Sequence, residues 1–151
     1  MIRVTPITNG VVIDHLPVNS ALRILELLDI RSYSEVISVG LNLHSHKEQR
    51  KDLIKIEGRV LTTEDIEKIA LFGQHSTINI IENEKVVKKI KPTLPGKFVN
   101  TFNCPNPSCV TNHEYMNSVF YVKSANSLQC KYCERTFSFS GMKVKQKTSK
   151  I

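Results

Sequence analysis

Hydrophobic and polar positions along residues 1–96 repeat at two periods. Val11-Val-Ile-Asp-His-Leu16, closed by Pro17, reads as a strand, and its period of two sends Asp14 and His15 to opposite faces. They can meet one ligand only at the end or edge of that strand. Ala21, Ile24, Leu25 and Leu28 then fall at the spacing of one helical face, with Asn19 or Ser20 placed to cap it and Leu22 and Leu27 broadening it. Two strands follow, Glu35–Leu43 and Lys51–Glu57, joined as a hairpin through the polar segment His44–Arg50. In the second of these, Lys55 faces away from Ile54 and Ile56 and lies beside Leu53. A helix with Thr62 as its cap, Ile66, Ile69 and Ala70 as its apolar face and Gly73 as its stop comes next. Strands over Ser76–Ile81 and Glu84–Ile90 turn at Glu82-Asn83. The resulting β-α-β-β-α-β order plus one strand predicts an α+β domain, a ferredoxin-like antiparallel sheet with two helices on one face.

Beyond residue 96 the pattern changes. Strands are expected around Phe98–Asn103, Val119–Lys123 and Thr136–Ser140, too short and few to hold a large core. Charge shifts as well: residues 1–96 carry thirteen basic and twelve acidic side chains, whereas 97–151 carry eight and two. Eight of the ten aromatics lie between Phe98 and Phe139. Two domains, 1–96 and 97–151, are therefore expected, joined near Lys91-Pro-Thr-Leu-Pro-Gly96. The lysine-bearing tail after Gly141 reads as mobile. No apolar run has the length of a membrane span and the N-terminus has no signal-peptide pattern, which points to the cytoplasm.

All four cysteines sit in the second region, as Cys104-Pro-Asn-Pro-Ser-Cys109 and Cys130-Lys-Tyr-Cys133. Two close pairs separated by a loop are the spacing by which four thiolates enclose one tetrahedral ion. A single structural Zn²⁺ per chain suits four sulfurs, with no open position for catalysis. Two disulfides and an iron centre are the alternatives. The metal is expected to brace a small all-β, zinc-ribbon-like domain that could not fold on its own core.

No nucleophile and base stand together, and no glycine-rich loop matches a phosphate cradle. His44 and His46, and the lone His75 and His113, read as solvated side chains. Asp14, His15, Lys51, Lys55, Asn79, Lys88 and Lys89 form a polar set near strand ends. Such a set can receive a phosphorylated nucleoside, lysines on phosphate and the carboxylate on ribose, or it can be a solvated sheet face. The basic, aromatic-rich C-terminal region alone also fits a zinc ribbon that binds single-stranded nucleic acid.

Val12-Ile-Asp-His-Leu-Pro17, Gly40-Leu-Asn-Leu43, Arg50-Lys-Asp-Leu-Ile-Lys-Ile-Glu57 and Cys130-Lys-Tyr-Cys-Glu134 occur in that order. Together they resemble the regulatory chain of aspartate carbamoyltransferase, from about Val4 to Phe139. The resemblance implies a non-catalytic regulatory subunit with a nucleotide-binding domain and a zinc domain that docks on the catalytic chain. It implies regulatory homodimers bridging catalytic trimers, six chains of each kind, in an enzyme early in pyrimidine synthesis. ATP and CTP, with UTP in some members, are the implied effectors. Nucleic acid then drops out as a partner, as does a membrane. Carried over by position, Asp14 would hold ribose, Lys55 ribose and base, and Lys89 the triphosphate with His15. Asn79 and the Val86 backbone would complete the phosphate contacts, and Ile7 and Glu84 would offer carbonyls to the base. Val4, Val12 and Leu53 would line an apolar wall, with Lys51 close by. Glu84 stands where the family usually has an aromatic, with Lys88 placed to offset its charge. The stretch Val110–Met116 matches the family weakly.

Overall fold

The computed structural model describes residues 7–30, 33–44 and 50–145. Val4, His46 and the lysines beyond Lys145 lie outside them. The chain divides into two compact units, residues 1–93 and 94–151.

In the first unit the order is β1 (Gly10–Leu16), α1 (Ala21–Leu27), β2 (Ile37–Leu43), β3 (Lys51–Glu57), α2 (Thr63–Phe72), β4 (Thr77–Glu82) and β5 (Lys85–Ile90). The sheet runs β2-β3-β1-β4-β5, antiparallel at every pairing. This is the ferredoxin-like arrangement with β5 added at the edge. Period two sorts the sheet into faces: Val11 and Ile13 of β1, Ile54 and Ile56 of β3 and Ile78 of β4 are fully buried. Ala21, Ile24, Leu25 and Leu28 from α1 and Ile69 from α2 close over that face. Leu22 does not join them and is 59% exposed, whereas Leu27 is buried. Both sit on flanks of the apolar stripe, and only the flank bearing Leu27 is covered.

Thr62 caps α2 as the sequence indicates. Its hydroxyl accepts from Asp65 N–H at 3.1 Å, and the Asp65 carboxylate accepts from Thr62 N–H at 3.1 Å. The start of α1 differs. Ser20 turns its hydroxyl to the Pro17 carbonyl at 2.6 Å, and Ala21 N–H instead donates to Asp52 Oδ2 at 3.1 Å. The same carboxylate accepts Asn42 N–H at 3.0 Å, so one fully buried side chain on β3 ties down both α1 and β2. Asp52→Ala would strand the buried Ala21 amide, at about 1–3 kcal/mol, and remove the part-buried bond to Asn42. We expect a stability loss of roughly 3 kcal/mol in denaturant unfolding, with Asp52→Asn losing less.

The β4–β5 turn falls one residue later than the pattern indicates. Asn83 and Glu84 are its two central residues, with φ of 51° and 66°, and Glu82 pairs with Lys85. Tight hairpins favour left-handed backbone at both positions because it matches the strand twist, and Asn leads this pair. A second correction concerns β1. A register shift lies between Ile13 and Leu16, and His15 has φ 59°, so strict alternation ends there. At the other end of β1, Gly10 has φ 147°, and a Cβ there would stand 2.3 Å from the Ile56 carbonyl oxygen. Only glycine lets β1 and β3 approach so closely.

The second unit contains β6 (Lys97–Val99), β7 (Phe102–Asn103), β8 (Val119–Ser124), β9 (Ser127–Cys130), β10 (Thr136–Ser138) and β11 (Lys143–Val144). Four strands form the sheet β10-β9-β8-β6, and β11 pairs with β7. Asn100, at φ 56°, divides what reads in sequence as one strand into β6 and β7. Phe98, Phe102, Phe120, Leu128, Phe139 and Met142 make the core. Phe102 meets Phe98 and Phe120 edge-on, with centroids 5.2 and 6.3 Å apart. These aromatics are interior packing and offer no stacking platform. The tail is also held further than expected. Lys145 N–H donates to the Thr101 carbonyl at 2.7 Å, and its ammonium reaches Asn100 Oδ1 at 2.5 Å and the Met116 carbonyl at 3.2 Å. Among the described residues no helix is long and apolar enough to cross a membrane.

Candidate functional site: a thiol cluster and an open sheet face

The four cysteines converge. Their Sγ atoms all lie within 4.8 Å of one another, with Cys104 3.7 Å from Cys133 and Cys109 3.7 Å from Cys130. A disulfide needs about 2.05 Å, so these are separate thiols. Four sulfurs at about 2.3 Å from a central ion stand roughly 3.8 Å apart at the edges of a tetrahedron. Both cross-pair distances match that edge, and the cluster is a metal site. Cys104, Cys109 and Cys130 are buried and Cys133 is half-buried.

Local backbone sets each pair. Cys130 ends β9, and the turn to Cys133 closes through Glu134 N–H to the Cys130 carbonyl at 3.0 Å, with Glu134 at φ 61°. Opposite it, Cys109 N–H donates to the Asn106 carbonyl at 3.0 Å. Burial pushes the Cys104 thiol well above the ordinary range and raises that of Cys130. Burial also opposes ionisation of Cys133, but hydrogen bonds from the Arg135 backbone and the Asn106 side chain outweigh it and bring that thiol down to about 7. Metal binding replaces such protons outright.

A second constellation lies on the first unit's other face. Val12 pairs with Lys55 on one side and Asn79 on the other, and Asn79 pairs with Lys89. Directly paired residues share a face, which places Val12, Lys55, Asn79 and Lys89 in a row across the four strands β3, β1, β4 and β5. Asp14, Lys51 and Leu53 have the same parity, on the face away from the helices. Asp14 accepts an ion pair from Lys51 at 2.8 Å, and its Oδ1 also accepts His15 N–H at 2.7 Å. Lys55 and Lys89 form no ion pair among the described residues. Glu84, in the β4–β5 turn, donates its N–H to the carbonyl of Thr8, the residue after Ile7, at 2.8 Å. Val86 pairs with Ile81 at the bulge of β5. Lys88 is opposite Ile80, on the helix side of the sheet, and so does not stand beside Lys89 on this face. His75 and His113 are exposed, and His113 Nε2 bonds the Pro107 carbonyl at 2.8 Å.

Burial alone would raise the proton affinity of Asp14. The Lys51 ammonium and the His15 N–H more than offset it and hold the carboxyl below the ordinary carboxylate value. The pair therefore stabilises the fold above about pH 4, and that contribution is lost as pH falls through the depressed value. A carbon-detected carboxyl titration should give Asp14 a midpoint below about 3.9. Lys51→Gln should move it upward, because burial then acts unopposed.

Comparison with known proteins separates the two constellations. Residues 2–93 match the family model described as aspartate carbamoyltransferase regulatory chain, allosteric domain, and residues 97–143 match that chain's metal binding domain. The chain belongs to the family of aspartate carbamoyltransferase regulatory chains. Relatives of that name include one from Aliivibrio fischeri, 44% identical over 140 residues, covering 91% of this chain and 91% of the relative. One from Psychromonas ingrahamii is 41% identical over 138 residues, covering 90% and 91%. One from Thermococcus onnurineus is 41% identical over 142 residues, covering 92% and 94%. As a regulatory chain the protein is a non-catalytic subunit whose partner is the catalytic chain of that enzyme. Its allosteric domain carries the open sheet face, and its metal-binding domain carries the thiol cluster. Sequence reasoning did not single out Asp52, Thr111 or Asn112. Asp52 could have been suspected as an acid at an inward position of an otherwise apolar strand.

Proposed function

We propose that this regulatory chain senses nucleoside triphosphates on the open face of residues 1–96 and transmits their binding through a zinc-braced domain, residues 97–151, docked on the catalytic chain. The observation that carries the reading is the row of Lys55, Val12, Asn79 and Lys89 across four adjacent strands, with the Asp14–Lys51 pair beside it. Lys55 and Lys89, with no ion pair among the described residues, are cations suited to phosphate, Asp14 suits ribose hydroxyls, and Val12 and Leu53 give the base an apolar floor. Ile7 and Glu84 supply the edge at which backbone carbonyls meet an exocyclic amino group, which ATP and CTP both carry. His15 and the Val86 backbone support the phosphates. Zn²⁺ is the ion that best suits four sulfurs at tetrahedral spacing, with no redox role. When bound, it supplies a structural crosslink between the two cysteine pairs.

Regulation follows from differential binding. A nucleotide that binds better to one quaternary state shifts the assembly toward it, by a coupling of about 1–3 kcal/mol that is reciprocal with substrate binding. The assembly is six catalytic and six regulatory chains, built through regulatory homodimers, in the cytoplasm, at an early step of pyrimidine synthesis. The test is co-purification with the catalytic chain followed by aspartate saturation curves with and without ATP, CTP and UTP. Shifted half-saturation supports the reading, and unchanged curves with an intact assembly would reduce the chain to a scaffold.

A further inference from the structure

The geometry points to Thr111 and Asn112 as positioning residues of the metal centre, Thr111 by donating its hydroxyl to the Cys109 sulfur and Asn112 by locking the loop that carries both ligands of the first pair. The inference rests on the metal-site reading above and extends it to the turn that follows the first cysteine pair. Immediately after Cys109, residues Val110–Asn112 form a single 3-10 turn. Its tightness folds the chain back over the loop it has just left. Thr111 is buried, and its Oγ1 lies 3.2 Å from Cys109 Sγ. A metal-bound thiolate has no proton to give, so in the loaded site the hydroxyl must be the donor.

Asn112 acts on the other side of the turn. Its Nδ2 donates to the Cys104 carbonyl at 3.0 Å and to the Asn106 carbonyl at 2.8 Å. One amide group thus uses both of its N–H bonds on one six-residue loop. Asn106 adds internal closure: its Oδ1 accepts Ser108 N–H at 3.1 Å and its carbonyl also accepts Cys109 N–H at 3.0 Å. In the pair Cys130–Cys133, Cys130 belongs to β9 and the turn is closed by backbone bonds, with the Asn106 side chain adding a hydrogen bond to Cys133. Cys104 and Cys109 lie outside any strand, so their sulfurs are held by loop contacts alone. An outer shell that orients ligands and tempers thiolate charge commonly changes metal affinity by about 10–100-fold when removed.

The experiment uses the full-length chain loaded with Co²⁺, whose thiolate-to-metal charge-transfer bands report directly on sulfur. Thr111→Val should move that band to longer wavelength, since an unbonded thiolate gives up charge more easily, and Thr111→Ser should restore it. Asn112→Asp keeps the size but removes the donor, and should weaken Co²⁺ retention against a competing chelator about 10-fold or more. Far-UV circular dichroism of the loaded variants checks that each is folded. Unmoved bands in Thr111→Val overturn the role of Thr111, and retention within twofold in Asn112→Asp overturns that of Asn112. A parent chain that takes up no Co²⁺ overturns both together with the metal reading itself.

Discussion

Cys130→Ser should leave the chain without stoichiometric zinc and with its C-terminal unit unfolded, while the N-terminal unit keeps its structure. Cys130 is fully buried, and it joins β9 to the ion that both cysteine pairs would share. The unit it supports has a core of four phenylalanines, one leucine and one methionine, with short strands around it. Small domains of this size bury too little surface to offset their chain entropy, and a structural zinc contributes on the order of 10–16 kcal/mol in finger peptides. Metal analysis should fall from one zinc per chain to near none. Amide resonances of residues 95–145 should collapse to unfolded positions, and binding to the catalytic chain should disappear. A variant that retains dispersed resonances in both units without metal would show that the aromatic core suffices and that the ion is incidental.

Lys55→Ala and Lys89→Ala should each weaken ATP and CTP binding about 10- to 100-fold, the effect of losing one charge-assisted contact worth roughly 1.5–3 kcal/mol. Lys55 is on β3 and Lys89 on β5, at opposite ends of the row through Val12 and Asn79. Their separation suits a ligand that spans the sheet. Neither supports the fold through an ion pair among the described residues, so both variants should unfold at the parent's denaturant midpoint. Lys88→Ala is the control on the other side of the sheet and should leave affinity within about twofold. Calorimetric titration of the full chain decides the matter. Equal loss in Lys88→Ala and Lys89→Ala would indicate diffuse attraction by a basic edge strand, and no loss in either lysine of the row would move the nucleotide elsewhere.

The two cations differ from Lys51 in a way that bears on mechanism. Lys51 is spent on Asp14 at 2.8 Å, while Lys55 and Lys89 form no ion pair among the described residues and, in the proposed site, would meet phosphate. In the proposed site, a ribose hydroxyl on Asp14 would share that carboxylate with Lys51 and with the His15 amide. The β1 irregularity falls between Ile13 and Leu16, so these groups stand where the strict alternation of the strand ends. Glu84 is exposed at the hairpin tip, and its N–H is held by the Thr8 carbonyl.

Much of the architecture was written in local pattern. Alternation in Lys51–Glu57 set which residues of β3 are buried, because a strand has only two faces and one of them must exclude water. Thr62 with Asp65, and Gly73 after Phe72, marked the ends of α2 through donors and acceptors within a few residues. The cysteine spacing foretold a cluster, since two short spacings restrict where four sulfurs can go. Long-range partners were the part that pattern could not supply. Asp52 caps a helix 31 positions away, β11 finds β7 across the whole second unit, and Asn112 clasps a loop that precedes it. Nothing in the residues adjacent to these groups names their partners. By itself, the sequence determined the elements, the faces they bury and the four thiols that gather. The tertiary structure alone decided register, the one-residue placement of the Asn83-Glu84 turn and the side of the sheet on which Lys88 and Lys89 part company. Those depend on which backbone hydrogen bonds form between distant strands, and a single bulge reverses the outcome.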